Sequence, residues 1–268
     1  MRNNSINTID WAQDSKSFDT VAELYDVFRP SYPPELIEYI LSASEISEDS
    51  RVLEIGSGTG IATILFAQRG YSVFCIEPGE NLVAVARQKL RLFSQVEFAI
   101  TTFETWQEPE NTFDLVISAQ AFHWIPKEIG YSKVAKVLRA NGHVALFWNM
   151  YPDPQDMIYK EFDQVYQKYA PDLFSQNKPS YENLVQERKQ ELTGCGYFDQ
   201  VEIKRFTWSV RYTAPQYVGL LNTYSDHLRL PEENRTRLFE EISKVIYRYG
   251  GYVDKPYVAV VYIARKPA

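Results

Sequence analysis

A chain of 268 residues, 45% of them apolar and with a formal net charge of -7, can build one large α/β domain or two small ones around an ample core. The acidic balance argues against a general nucleic-acid surface, which needs a basic stripe. Cys75 and Cys195 show neither metal spacing nor a disulfide framework, the polar start Met1-Arg2-Asn3-Asn4 carries no signal-peptide core, and no apolar run reaches membrane-span length, so a cytoplasmic protein without metal, membrane or nucleic-acid partners is expected.

The first patterned segment runs from Phe18 to Pro33. Phe18, Val21, Ala22 and Tyr25 recur at helical spacing, and Arg29-Pro30-Ser31-Tyr32-Pro33 stops the helix. The stripe reads as an amphipathic cap on a sheet edge. Tyr25, Arg29 and Tyr32 are harder to assign to packing alone. A helix laid over a ligand would bring a phenol and a guanidinium to the reacting centre.

Val52-Leu53-Glu54-Ile55 reads as a buried strand and runs straight into Gly56-Ser57-Gly58-Thr59-Gly60. A helical pattern follows (Ile61, Ile64, Leu65), with Gly70 as its stop. Strand, glycine turn and helix in that order bring backbone very close to a ligand. The next strand, Tyr71 to Ile76, ends at Glu77-Pro78, and an acid there can accept hydrogen bonds from ribose hydroxyls. A dinucleotide fingerprint would put bulky Ile61 at its third small position, so a nicotinamide-dependent dehydrogenase is the lesser reading of this turn.

The alternation continues down the chain. Glu80 to Leu90 is helical, Val96 to Ile100 and Phe113 to Ser118 are strands, Lys127 to Leu138 is a helix ended by Asn141-Gly142, and His143 to Trp148 is a fifth strand. Such alternation predicts a mainly parallel sheet with helices on both faces and a ligand at the strand C-terminal ends. Tyr151 to Leu192 reads as largely helical, Gln200 to Arg211 as a strand, Thr213 to Tyr249 as helices broken at Pro231, and Tyr257 to Ala264 as a final strand after Gly250-Gly251. Residues 1–268 are expected to form one domain. Its parts are a helical cap at 17–47, a cofactor-binding core at 48–150, helical insertions forming a lid at 151–195 and 213–250, and last strands at 200–211 and 252–265.

The run Glu54-x-Gly56-x-Gly58-x-Gly60 resembles motif I of the class I S-adenosylmethionine-dependent methyltransferases. Three further segments resemble the small-molecule subfamily around trans-aconitate methyltransferase (methyltransferase type 11). They are Arg29-Pro30-Ser31-Tyr32-Pro33, Gln120-Ala121-Phe122-His123-Trp124, and Leu221-Asn222-Thr223-Tyr224-Ser225-Asp226-His227. The resemblance runs from about Phe18 to Arg265. It implies a doubly wound, Rossmann-like α/β fold: seven strands, mostly parallel, an antiparallel last strand, and helical lid insertions. It implies S-adenosyl-L-methionine as cofactor. Glu54, Gly56, Ser57, Gly58, Gly60, Glu77, Pro78, Ala119 and Gln120 would hold it, with Thr102 at the adenine edge and Phe103 packed on the base. Many members of the wider superfamily carry an acid where Thr102 stands.

The resemblance also implies a small-molecule methyl acceptor, with Tyr32, Trp124, Tyr224 and His227 as contacts, and a monomer or homodimer. Tyr25, Arg29 and His123 are the catalytic candidates. For a carboxylate acceptor, Arg29 would grip the anion in its fork. For a hydroxyl or carbon acceptor, His123 would remove the proton. His227 is expected on a solvated helix face and His143 in an exposed turn. A non-catalytic S-adenosylmethionine-binding sensor is the alternative of a different class.

Overall fold

Period-two burial along the strands builds the sheet. In β5 (Leu138–Met150), Val144, Leu146, Trp148 and Met150 enter one apolar layer while Ala145 and Phe147 enter the other. β7 (Tyr252–Arg265) divides its residues the same way, Val258, Val260 and Tyr262 against Ala259, Val261 and Ile263. Strands buried on both faces need helices on both faces. The computed structural model describes residues 18–107, 110–152, 156–174 and 180–268. The other strands are β1 (Arg51–Ile55), β2 (Ser72–Ile76), β3 (Val96–Ala99), β4 (Phe113–Ala119) and β6 (Asp199–Thr213). They form one seven-stranded sheet in the order β3-β2-β1-β4-β5-β7-β6. Its pairs are parallel except those made by β7, which runs against both β5 and β6. The strand order reverses between β1 and β4, so the C-terminal ends of those two strands flank a crevice.

Helices α1 (Ala22–Phe28) and α2 (Pro34–Ala43) precede the sheet. Pro34 at the first position of α2 needs no N–H partner there, and Leu36, Ile37 and Ile40 form its buried stripe. The helices following β1, β2 and β4 are α3 (Thr63–Ala67), α4 (Glu80–Lys89) and α5 (Lys127–Val137). The first is shorter than its pattern suggests, because Gly70 at φ +89° turns the chain after barely more than a turn. The fifth strand starts earlier than expected. Leu138 pairs with Phe113, the register shifts, and pairing resumes at Leu115 with His143. Asn141-Gly142, read as a helix stop, therefore lies inside an irregular strand, with Asn141 at φ +65°. His143 is half-buried in that strand rather than exposed in a turn, and its Nδ1 has no partner.

The lid has its own core. Helices α6 (Met157–Tyr169), α8 (Ala214–Leu221) and α10 (Glu232–Arg248) bury Phe162, Leu220, Leu238, Phe239 and Ile242 against Tyr212 and Tyr257 of the long β6–β7 ribbon. The short α9 (Ser225–Leu228) joins the latter two helices, and α7 (Tyr181–Gly194) packs Val185 and Leu192 onto the sheet. Helix α1 ties core to lid. A Cβ added at Gly219 of α8 would stand 2.5 Å from the ring of Phe28, so the two helices cross at close range. At its other end Asp19 accepts the backbone N–H groups of Asn81 (2.7 Å) and Leu82 (3.1 Å) and so caps α4. Lys89 of α4 also pairs with Asp26 of α1. No helix among the described residues is long and apolar enough to cross a membrane. No group of three His, Cys, Asp or Glu among them is placed to hold a metal.

Phe147 is fully buried at the centre of the sheet, with the ring of Tyr32 edge-on at 4.8 Å. Phe147→Ala is expected to cost about 3–5 kcal/mol in urea unfolding, by lost transfer energy plus the cavity left behind. A loss under 1 kcal/mol would mean this layer is not close-packed.

Candidate functional site

The chain leaves β1 at Ile55 and must turn at once. Gly56, Gly58 and Gly60 adopt φ of +71°, +55° and +77°, values that side-chain-bearing residues rarely take. The backbone N–H of Gly56 bonds the carbonyl of Ile76 at 2.8 Å, which pins the turn to the end of β2. The three glycines do different things. A Cβ at Gly56 would collide with Ala121 of the β4 exit, and one at Gly60 would stand 2.9 Å from Leu90 of α4. Gly58 alone faces open space. The side-chain direction of Gly60 is thus taken up by packing, and the residue does not border the cavities at the turn.

Two acids flank the turn in contrasting states. Glu77 accepts the N–H groups of Gly58 and Gly79, both at 2.9 Å. Burial raises its pKa and those two N–H bonds oppose the rise. Glu54 is 1% exposed. Its Oε2 accepts from Thr63 Oγ1 at 2.6 Å, and its Oε1 has no partner at all. Burial pushes the Glu54 carboxyl up to about 8, Thr63 opposing and Glu77 adding to the rise. A buried carboxylate oxygen without a donor is costly unless something supplies one.

That something can arrive from the adjoining space. A narrow cavity of about 40 Å³ is lined by Glu54, Ser57, Gly58, Tyr32, Ala119 and Gln120. It adjoins one of about 610 Å³, bordered by Gly56, Gly58, Gln120, His123, Trp148 and Arg188. A third, of about 920 Å³, lies under the lid between Tyr151, Tyr166, Tyr224, His227 and Lys255. Arg29 borders all three.

Arg29 leaves α1 between two rings, its guanidinium 4.9 Å from the Tyr25 centroid and 4.5 Å from that of Tyr224. Its Nε donates to Thr223 Oγ1 at 2.8 Å and its Nη2 to the Thr223 carbonyl at 2.7 Å. The expected fork is therefore half committed, and Nη1 with the second Nη2 hydrogen is what a ligand can use. No carboxylate among the described residues lies within ion-pair distance. Lys255, from β7, is in the same position. Its amine sits 4.4 Å from the Tyr151 centroid with no carboxylate partner among the described residues, and burial, with Arg29 adding, pushes its pKa down to about 8. Arg188 of α7 stacks at 4.0 Å over Trp148, and burial lowers its pKa too.

His123 does not fit the role of general base. The indole Nε1 of Trp148 donates to its Nδ1 at 3.2 Å, so the neutral ring carries its proton on Nε2 and is a donor toward any ligand there. The ring is exposed to the cavity, and the protein crowded around it, then the charge of Arg188, push its pKa down. Trp124 lies beside it at 4.9 Å between ring centroids.

Two adenine-side candidates are engaged elsewhere. Phe103 is 3% exposed and stacks on Trp106 in the core, and Thr102 spends its hydroxyl on Thr105. Neither borders the cavities at the turn. Pro78 forms an exposed bend after β2 and does not border them either. Tyr25 and Tyr32 border the narrow cavity, and Tyr224 and His227 the lid cavity. His227 is 5% exposed, not on a solvated face. Lys255, Arg188, Tyr151 and Tyr166 went unread in the sequence. For Lys255 there was a signal: Asp254-Lys255-Pro256 interrupts an otherwise apolar strand.

Residues 52–142 match the family model described as a methyltransferase domain. An uncharacterised methyltransferase of Schizosaccharomyces pombe is 24% identical over 86% of this chain and 87% of its own length. One of Mycobacterium tuberculosis is 25% identical over 93% of each. Among solved structures, phosphoethanolamine N-methyltransferase 2 of Haemonchus contortus, in complex with S-adenosyl-L-methionine, superposes with a TM-score of 0.55 at 16% identity, over 93% of this chain and 57% of that one. The [4+2]-cyclase SpnF gives 0.57 at 16% identity over 96% of both. The fold is common to the two solved structures, and one of them is named for a different reaction.

Glu54 yields a stability test. Its pKa is higher folded than unfolded, so the neutral carboxyl contributes stability at low pH that is lost as pH rises from its ordinary value toward about 8. Glu54→Gln removes that loss. Between pH 5.5 and 8 the variant is expected to gain on the wild type by on the order of 2 kcal/mol in urea unfolding. A pH-independent difference would overturn the assignment.

Proposed function

We propose that this chain, a methyltransferase by its domain at residues 52–142 and by relatives along most of its length, transfers the methyl of S-adenosylmethionine to a small acceptor bearing a carboxylate. The residues of the turn fit this cofactor. Glu54 Oε1 is a buried acceptor in want of a cation, which the cofactor's ammonium supplies, and Gly58 leaves room where a Cβ would intrude. Glu77 has lone pairs beyond those used by Gly58 and Gly79 for hydroxyl donors. S-adenosylmethionine supplies an electrophilic methyl on a sulfonium, and the protein's task is orientation. The S–C bond breaks as an O–C bond forms to the carboxylate oxygen, and no proton is moved.

One observation carries the choice of acceptor. Arg29 and Lys255 are half-buried cations without carboxylate partners among the described residues, and His123 offers an N–H rather than a lone pair. A site of donors and positive charge holds an anion and does not deprotonate a hydroxyl. In-line placement of the carboxylate behind the methyl then accounts for much of the acceleration, on the order of 7–11 kcal/mol for well-oriented reactants.

Labelled methyl transfer to a panel of carboxylic acids, alcohols and amines tests this. The acids are expected to yield base-labile methyl esters. With S-adenosylmethionine saturating, so that the ionisation of Glu54 toward about 8 does not enter, and with no base to ionise, kcat/KM for the acid is expected to hold level from pH 6 to 7.5. It then falls as pH rises through about 8, where Lys255 loses its charge. Lys255→Arg should remove that fall. A rate that climbs between pH 6 and 8 means proton removal and overturns the carboxylate reading.

The cofactor site has its own test. Gly58→Ala meets no protein atom within 4 Å, so the variant folds at the modest cost of a left-handed alanine. It is expected to bind S-adenosylmethionine about tenfold or more weakly by calorimetry. Undiminished binding would remove the turn from the cofactor site.

A further inference from the structure

The lid cavity contains a polar unit that transfer to a carboxylate does not use. Tyr166 of α6 meets His227 of α9, phenol oxygen to Nε2, at 2.7 Å. On the other side of the ring, Nδ1 lies 2.7 Å from Asp226 Oδ1, which is itself fixed by the backbone N–H of His227 at 2.8 Å. The imidazole is nearly buried, stacked on Phe239 at 6.2 Å, so its orientation is set by packing as well as by these bonds. All three side chains border the lid cavity together with Arg29 and Lys255.

The direction of these bonds follows from the charges. A carboxylate beside Nδ1 keeps the ring proton there and leaves Nε2 as an acceptor. The phenol of Tyr166 then donates its only proton to Nε2. What its oxygen retains is acceptor capacity, on the wall of a cavity whose cationic side is made of donors.

We propose that the Tyr166 oxygen accepts a hydrogen bond from a hydroxyl of the acceptor molecule, which makes the substrate a hydroxylated carboxylic acid. Its carboxylate turns toward Arg29 and Lys255 and its hydroxyl toward Tyr166. His227 and Asp226 are positioning residues: they hold the phenol proton away from the ligand. The inference rests on the carboxylate reading above. A plain tie between two lid helices would explain the same bonds, and Asp163 borders the same cavity as a rival acceptor. The experiment has to separate these.

Transfer from methyl-labelled S-adenosylmethionine is measured on three matched pairs: malate and succinate, 3-hydroxybutyrate and butyrate, 4-hydroxyphenylacetate and phenylacetate. The readout is the ratio of kcat/KM within each pair. A hydrogen bond is worth about tenfold in such a ratio. In the wild type at least one pair is expected to favour its hydroxylated member by that factor. Tyr166→Phe should bring the ratio near one, the loss falling on the hydroxylated member. His227→Phe, which frees the phenol proton, should lower the ratio as well. A purely structural tie changes both members of a pair together and leaves the ratio alone. An unchanged ratio in Tyr166→Phe overturns the proposal, as does a ratio that collapses in Asp163→Asn instead. Transfer to both members without preference in the wild type overturns the hydroxyl contact and leaves the carboxylate reading standing. Transfer to none of the six acids overturns both.

Discussion

The guanidinium of Arg29 is partly buried between two tyrosine rings with no carboxylate among the described residues to neutralise it, and much of the structure is organised around that charge. An uncompensated buried ion costs several kcal/mol. Here the cost is offset in parts. The ring faces of Tyr25 and Tyr224 contribute roughly 0.5–2 kcal/mol each, and the hydroxyl and carbonyl of Thr223 take two of its N–H groups. These partners belong to two separate stretches of chain. Tyr25 lies in α1, and Thr223 and Tyr224 in the link between α8 and α9. Solvating the charge therefore docks the N-terminal helix against the lid. The same charge holds down the pKa of Lys255 across the cavity.

The two ends of the site are electrostatic opposites. At the glycine turn the groups are acidic: Glu54 with an unpaired oxygen, and Glu77 satisfied by backbone N–H groups. Under the lid Arg29 and Lys255 are basic and lack carboxylate partners among the described residues, though Asp163 and Asp226 border the same cavity. No ion pair among the described residues joins Glu54 or Glu77 to Arg29 or Lys255. A cationic ligand at the turn and an anionic one under the lid would balance both. This is a stronger constraint than shape, because a buried charge tolerates few kinds of neighbour. It also explains why the surroundings are aromatic. Tyrosine and tryptophan faces stabilise a cation without neutralising it, and so leave its charge free for a ligand.

What could be read in the sequence was what depends on near neighbours. The glycine turn, with Glu54 before it and Glu77 after the next strand, is a local arrangement in which backbone geometry dictates residue type. The strands showed themselves through alternation, and the crossovers through helical spacing. Reading failed where tertiary packing chooses between faces. Phe103 leaves a strand end, where an aromatic ring can turn to a ligand or to the core, and Trp106 three residues on decides for the core. His227 sits in a four-residue helix, too short to show a periodicity that would reveal its buried side. His123 was legible as a pocket residue. Its tautomer was not, since that depends on the indole of Trp148, 25 residues away on the next strand. Lys255 reaches the cavity only because β7 overruns the sheet into the lid.

On the proposed chemistry, the same charges act on the product. A carboxylate acceptor neutralises Arg29 and Lys255 while it is bound. Once methylated it is a neutral ester and no longer does so. The two half-buried cations are then again without a counter-charge, so the site that held the substrate tightly would hold the product weakly. The sulfonium loses its charge in the same step, and Glu54 loses only the ammonium's company when the spent cofactor departs. Transfer to a carboxylate would thus favour release at the acceptor end first, without any separate device to expel the ester. An acceptor that entered neutral would draw no such distinction, because Arg29 and Lys255 would be equally uncompensated before and after transfer.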